Sequence, residues 1–458
     1  MQNRTKLSRR NFLLAAGAAG LSVGLAACVP VAPPAAGTGT GAASSAATSS
    51  EAAASPEDIE MLAFWWSDSP RDAKVLTDTF AAFEERQPGV KITFDDTSSG
   101  HLEKLMTNMA AGTPPDIFAV HTAWMVQVAA AGQLVDWTPY IEADATANVD
   151  DFFPAQVGFY TYNNGLYALP YYSGPSCIWY NEDIFREKGL KTPWEHEQEG
   201  TWTWETLREL ALQTTGGEGM ERTLGWDAAQ NPSAIHYYLC VPWWTSGVEF
   251  INEDQTEWLF DQQEIVDVIQ WHQDMALVDK SLVMPADLQG VTRMFDTGRL
   301  AMAWGIKAHA VSIPGDNFTV GHAPTPKGKA GRINRDGPNG VGSASGSKHK
   351  EMAYKFGLFM GGEAGAPTYL ASGRSFPVRQ SLKDSKYFFD ALRPFERAEV
   401  HLEAAQTVRN WRNPGQAAEW GRVFKAAIDE VLLGQTTPAE ALQRITPEMN
   451  ELLKLPTS

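Results

Sequence analysis

The sequence predicts an α/β protein built from two domains, and three observations carry that reading. The chain has 458 residues, more than a single hydrophobic core normally serves. From Ile59 to Val120 the apolar pattern alternates between strand and helix spacing, in the order β-α-β-α-β. That order implies a parallel sheet with helices on its faces. Further on, the stretch Tyr167–Leu190, YALPYYSGPSCIWYNEDIFREKGL, is an apolar run broken by Pro170, Gly174 and Pro175. Proline fixes φ and removes an amide donor, so the run before Cys177 reads as an edge strand or a crossing between domains.

The elements follow in chain order. Residues 1–28 read as an export signal, with a basic start and the apolar run Phe12–Ala27, too short and too weak for a membrane span. Ser8-Arg9-Arg10-Asn11-Phe12-Leu13 resembles a twin-arginine export motif, and an ordinary basic leader remains the alternative. Leu25-Ala26-Ala27-Cys28 resembles a lipobox, which makes Cys28 the lipid attachment site and the mature N-terminus. Residues 29–57 are rich in Ala, Gly, Ser, Thr and Pro and lack aromatics. Such a segment cannot bury enough apolar surface to offset the entropy of ordering, so it reads as a disordered tether spanning on the order of 30 Å.

The folded part begins near Asp58 with the apolar run Ile59–Trp66. Val75, Leu76, Phe80 and Phe83 have helical spacing, and Pro88-Gly89 ends that helix. Val90, Ile92 and Phe94 alternate as a strand; Leu102, Leu105, Met106 and Met109 form a second helical face; Asp116–Val120 is a strand again. Ligands of such sheets bind at the carboxyl ends of strands, which here carry Trp65–Ser67, Thr97–His101 and His121–Trp124. In the long stretch, Cys177–Tyr180 is a strand and Asn181-Glu182-Asp183 caps a short helix through Lys188. Near the end, Thr437, Pro438 and Glu440 form a capping box, and Gly434 closes the helix before it.

A set of short motifs, in order over Asp58–Leu453, resembles the bacterial extracellular solute-binding proteins of the sugar-binding type, the family of the maltose-binding protein. They are Thr113-Pro114-Pro115-Asp116-Ile117, Ala131–Ile141 (AGQLVDWTPYI), Trp202–Leu207 (TWTWETL from Thr201), Phe295–Met302 (FDTGRLAM), Ala323–Gly328 (APTPKG), Gly373–Arg379 (GRSFPVR) and Val431–Leu442. Leu300 stands where the family has alanine in "F-x-x-G-x-A-A-M". The resemblance implies a two-lobed periplasmic-binding-protein fold of type II, with crossings near Tyr171–Cys177, Phe318–Ala323 and Gly361–Pro367. It places residues 58–172 and 320–362 in the first lobe and 173–319 and 363–458 in the second. It also implies a monomer that captures a sugar or oligosaccharide and delivers it by hinge closure to the membrane subunits of an ATP-binding-cassette importer. Neither a metal nor a cofactor is implied.

Composition narrows the partners. Net charge is −18, and because residues 1–28 carry four basic groups and no acid, the remainder carries −22. A surface that acidic repels nucleic acid and anionic lipid, leaving the lipid anchor as the only membrane contact. It disfavours a multiply anionic ligand unless a local basic pocket overrides it. Cys177 and Cys240 either pair after export or serve as small buried apolar residues. No catalytic motif is present: Gly340–Gly346 misses GxGxxG by one residue, and in G-x-S-x-G Ala344 stands where the nucleophile belongs. A secreted carbohydrate-active enzyme stays as the rival class, and a binder of glycerol phosphodiesters or peptides as a third.

Sugar binding asks for flat apolar faces against the ring and planar polar groups for its hydroxyls. The sixteen Trp supply faces in excess. The candidates are Trp65, Trp66, Ser67, His101, His121, Trp124, Tyr171, Tyr172, Ser173, Trp243, Trp244, Trp304, Lys307 and Arg374. The resemblance supports Trp65, Trp66, Tyr171–Ser173, Trp304, Lys307 and Arg374 by position, and adds Trp420 where the maltose-binding protein has a stacking aromatic. Strand alternation turns one of Trp65 and Trp66 inward, and likewise one of Trp243 and Trp244. Trp137, Trp179, Trp202 and Trp258 read as packing.

Overall fold

A computed structural model describes residues 58–67, 69–98, 100–229, 235–410 and 417–454. Its strands are β1 (Ile59–Trp65), β2 (Val90–Asp96), β3 (Ile117–His121), β4 (Thr161–Tyr162), β5 (Gly165–Leu166), β6 (Leu169–Tyr172), β7 (Ser176–Asn181), β8 (Leu224–Asp227), β9 (Leu300–Ile306), β10 (Val320–Ala323) and β11 (Asn339–Gly342). They form two main sheets, β2-β1-β3-β11-β6 and β10-β7-β9-β8, each the centre of one lobe.

The first sheet follows the expected alternation. β1 pairs parallel with β2 and β3, and the helices Pro70–Arg86 and His101–Ala110 connect them. Ser69 caps the first of these helices by accepting from the Asp72 N–H, with Pro70 at the opening position, and its buried stripe is Leu76, Phe80 and Phe83. β6 lies at the sheet edge, paired only with β11, which is where a strand can tolerate Pro170. Asn163 and Asn164, both at positive φ, make the tight turn between β4 and β5.

In the second sheet β7 runs antiparallel to both β10 and β9, and β8 lies parallel to β9. Asn181 caps the helix Glu182–Lys188, accepting from the Asp183 and Ile184 N–H groups. At the far end Thr437 and Glu440 exchange side-chain and backbone hydrogen bonds, as the capping box requires. Cys177 and Cys240 are both free and buried, so the small-apolar alternative holds; burial pushes both thiols up, Cys240 to about 12.

One strand lies on the other side of an expected crossing. The return crossing was expected at Phe318–Ala323, yet Val320–Ala323 is still a strand of the second sheet, paired with β7. The crossing is the proline-rich segment 324–338, which precedes β11 of the first sheet. The prolines that mark this step lack amide donors, so they sit after the strand rather than within it. The chain passes from the first sheet to the second between Tyr172 and Ser176. Beyond the helix Lys350–Met360 the chain builds a small core of Ala366, Leu370, Phe376, Leu382 and Phe388, which takes in Phe153 from the first lobe and Ala405 from the second.

Candidate functional site

One carboxylate ties two crossing segments together, and the Ser173 carbonyl ties in a third segment. Asp336 Oδ2 accepts from the Ser173 hydroxyl at 2.6 Å and from Gln156 Nε2 at 2.8 Å, and Oδ1 accepts from the Gly174 N–H at 2.8 Å. Ser173 also accepts from the Phe376 N–H at 2.8 Å, which ties in the third segment. Burial pushes the Asp336 carboxyl up, against the pull of these donors.

In front of this knot lies a cleft of about 720 Å³, lined from both lobes and from the crossings. The first lobe contributes Trp65 and Trp66 at the end of β1, His121 at the end of β3, and Ser69, Arg71 and Asp72 from the start of the first helix. Strand ends beside the crossings supply Tyr171, Tyr172 and Asn339, and the second crossing supplies Gly337; the second lobe supplies Arg293, Asp296, Ile306, Ala308, His309 and Ser312; and Arg374 closes one side. A broader groove of about 1140 Å³ lies among Tyr140, Tyr354, Glu351 and Arg379, away from the strand ends. The cleft is the better site because strand termini of one sheet and side chains of the facing lobe converge there.

Polar groups in the cleft are largely paired, some across the lobes and some within one lobe. Arg374 pairs with Asp72, Arg293 lies 2.7 Å from Asp296, and Arg71 donates to the Ser372 carbonyl at 3.1 Å. His121 is held at about 4, by burial first and by nearby Arg335 second. His309 is pushed down to about 3 by burial, with Arg293 and Arg374 adding to it. Both imidazoles are therefore neutral near pH 7.

The chain matches the family model of the bacterial extracellular solute-binding proteins over residues 67–367. The chain belongs to this family. A binding protein of Brucella abortus (strain 2308) is 22% identical over 384 residues, 81% of this chain and 88% of its own length. Among solved structures, an ABC substrate-binding protein from Listeria monocytogenes in complex with cycloalternan superposes with a TM-score of 0.77 at 21% identity, covering 87% of this chain and all of the other. UgpB from Mycobacterium tuberculosis, in complex with glycerophosphocholine, gives a TM-score of 0.73 at 18% identity, covering 86% of this chain and 98% of the other. At these identities the structural likeness carries the two-lobed fold.

For a solute-binding protein the decisive matter is which side chains face the cleft. Trp66, His121, Tyr171, Tyr172 and Arg374 line it, and Trp65 borders it although only 1% exposed. The Trp65 indole N–H donates to the Tyr171 hydroxyl at 2.8 Å, so alternation turned this member of the pair inward, as expected. Ser67 is engaged with Asp96 and Ser98, and His101 sits under Trp66 with Nε2 3.0 Å from the Ala119 carbonyl oxygen. Burial holds His101 at about 4. Trp124 stands 6.0 Å from His101, behind the cleft wall, and Ser173 belongs to the knot at Asp336.

Four tryptophan candidates and the lysine sit elsewhere. Trp243 and Trp244 lie on the helix Cys240–Ser246, not on a strand, so alternation does not apply and both are buried. Trp243 packs on Phe250, Phe260 and Phe424; Trp420 packs on Trp258 at 5.3 Å; Trp304 stacks on Trp204 at 6.2 Å. Trp244 touches a separate cavity of about 670 Å³ beside Pro154 and Arg409. Lys307 has no exposed side-chain surface: its ammonium pairs with Glu396 at 2.9 Å and donates to the Gly373 carbonyl at 2.6 Å. Cys28, Arg9 and Arg10 lie outside the described residues.

The sequence reading missed Arg71, Asp72, Arg293 and His309. Arg71 and Asp72 lie in the first turn of the helix that follows the first strand, so the strand-end argument would have reached them had it run past Ser67. Arg293 and His309 carry no local signal; the helical turns around β9 bring them to the cleft.

Proposed function

We propose that this chain captures a sugar or oligosaccharide outside the cytoplasm and delivers it to the membrane subunits of an ATP-binding-cassette importer, held at the membrane by lipid on Cys28. The observation that carries the reading is the cleft between the lobes, lined by Trp66, Tyr171 and Tyr172 from the first lobe and by polar residues of the second. Aromatic faces for the ring and planar polar groups for the hydroxyls are what sugar recognition needs. A ligand touching both lobes favours the arrangement in which both touch it, by its differential affinity for that state.

A calorimetric screen of the purified chain against neutral and acidic oligosaccharides tests this. Saturable binding with a fall in radius of gyration is the expected result, and tight binding of a peptide instead would overturn it. A chromogenic glycoside should stay uncleaved. Cys28→Ser should leave the chain unprocessed or release it from the membrane fraction; unchanged membrane association would remove the lipid anchor from the reading.

A further inference from the structure

We propose that the captured solute carries an anionic group, a sugar carboxylate or a phosphoryl, and that Arg335 and His121 receive it; the inference rests on the sugar-cleft reading above. Arg335 lies on the crossing between β10 and β11, with its carbonyl fixed by the Ser176 N–H at 3.0 Å and the Ser176 hydroxyl at 2.9 Å. Its guanidinium lies over the Tyr238 ring, 4.9 Å from the centroid. A Cβ placed on Gly337 would stand 4.0 Å from Arg335 Nη2 and 4.0 Å from His121 Nε2, and would meet no closer atom. The bare glycine thus leaves an open point between these two nitrogens; Gly337 and His121 line the cleft, and Arg335 reaches this point from behind them.

Both nitrogens are donors there. His121 Nδ1 accepts from the Ala123 N–H at 3.0 Å, so in the neutral ring the proton sits on Nε2 and faces the opening. Arginine is always charged, and its planar fork suits carboxylate or phosphate oxygens. The guanidiniums that line the cleft are occupied, Arg293 by Asp296, Arg374 by Asp72, and Arg71 by the Ser372 and Val311 carbonyls. Among the described residues Arg335 has no carboxylate within 4.0 Å. Its sequence neighbour Asp336 has both oxygens engaged in the knot, and on the facing sheet Asp227 accepts from the Ala229 N–H. A half-buried cation held on an aromatic face, with no carboxylate within 4.0 Å among the described residues, is the local basic pocket that reverses the repulsion expected from a −18 chain.

The experiment compares uronic-acid disaccharides with their methyl esters, which differ only in charge, and adds glycerol 3-phosphate. Each is titrated calorimetrically into the full chain, into R335Q and into R335K. The expected result is that the acid binds about tenfold or more tighter than its ester, that R335Q abolishes this ratio without lowering the melting temperature, and that R335K keeps part of it. Glycerol 3-phosphate bound in preference to every sugar, and lost in R335Q, assigns the anion to a phosphoryl and overturns the sugar reading alone. An ester bound as tightly as its acid overturns the anion proposal and leaves the sugar reading standing. No binding of any probe overturns both.

Discussion

Tryptophan fills the core of both lobes, with Trp65 and Trp137 buried in the first, but the first lobe also sets one indole at the cleft. In the second lobe Trp202, Trp204, Trp226, Trp243, Trp244, Trp258, Trp304 and Trp420 share one buried cluster. In the first lobe Trp66 stands half exposed at a strand end, over the cleft. An abundance of tryptophan therefore says little about where a ligand sits, because an indole is as useful for filling a thick helix-on-sheet core as for stacking on a sugar. The contrast breaks first at Trp243, the centre of the second core. Trp243→Ala removes a ring packed on three phenylalanines and an indole N–H that donates to the Ile265 carbonyl. We expect a loss toward the upper end of about 3–5 kcal/mol in unfolding free energy, with ligand affinity unchanged in the molecules that remain folded. Weaker binding without loss of stability would return Trp243 to the cleft.

Lys307 tests the same contrast with charge instead of an aromatic ring. It is buried with Glu396 and His401, and the His401 Nε2–H donates to Glu396 at 2.9 Å. Burial pushes the lysine down against the pull of Glu396. Burial alone would push Glu396 up, yet His401 and Lys307 bring it below its ordinary value. Lys307→Met strands a carboxylate in the second-lobe interior and should cost about 3–5 kcal/mol, most of which Lys307→Met with Glu396→Leu should restore. Differential scanning calorimetry of the two variants decides it. A single mutant as stable as the parent would show that the pair is not buried in solution.

Acid should weaken the second lobe through His272. This imidazole is buried, donates from Nδ1 to the Val268 carbonyl at 2.8 Å, and is pushed down to about 4 by burial. Its folded value lies below the unfolded one of about 6.5, so the unfolded chain binds more protons between the two. Its contribution is intact above pH about 6.5 and is lost as pH falls toward about 4, on the order of 2–3 kcal/mol in all. Urea unfolding at intervals across that window should show the decline, and His272→Gln should flatten its share. An unchanged slope in the variant would place the titration elsewhere, with His101 of the first lobe, also held at about 4, the next group to replace.

The parts of this molecule that were legible in sequence are those fixed by local chemistry. The parallel β-α-β order, the Asn181 cap, the capping box at Thr437 and the edge position forced by Pro170 all follow from residues within a few positions of each other. The cleft was legible on its first-lobe side, where strand ends name their own residues. It was not legible on the second-lobe side, because Trp243-Trp244 reads equally well as a strand or a helix and only its neighbours decide. Lys307 and Arg335 show the deeper reason. Each is a cation near an element end, yet one meets Glu396, 89 residues away, while the other lies over the Tyr238 ring. Nothing within a few residues of either distinguishes them.

Trp66 should give the smallest change in stability and the clearest change in function. Its ring makes an edge contact with His101, 4.7 Å between centroids, and otherwise borders the cleft. Trp66→Ala therefore leaves little of a cavity, and we expect a stability change of no more than about 1 kcal/mol. If the ring stacks on solute, its loss should cost on the order of 1–3 kcal/mol of binding, or roughly ten- to a hundredfold in affinity. Trp66→Phe should recover part of that, since a smaller flat face still stacks. The informative comparison is with Trp304→Ala, where the lost ring lies in the core against Trp204 and Trp226. That variant should lower the melting temperature and spare affinity, the reverse of Trp66→Ala. Were the two to shift affinity alike, the division between a packing lobe and a recognition edge would fail.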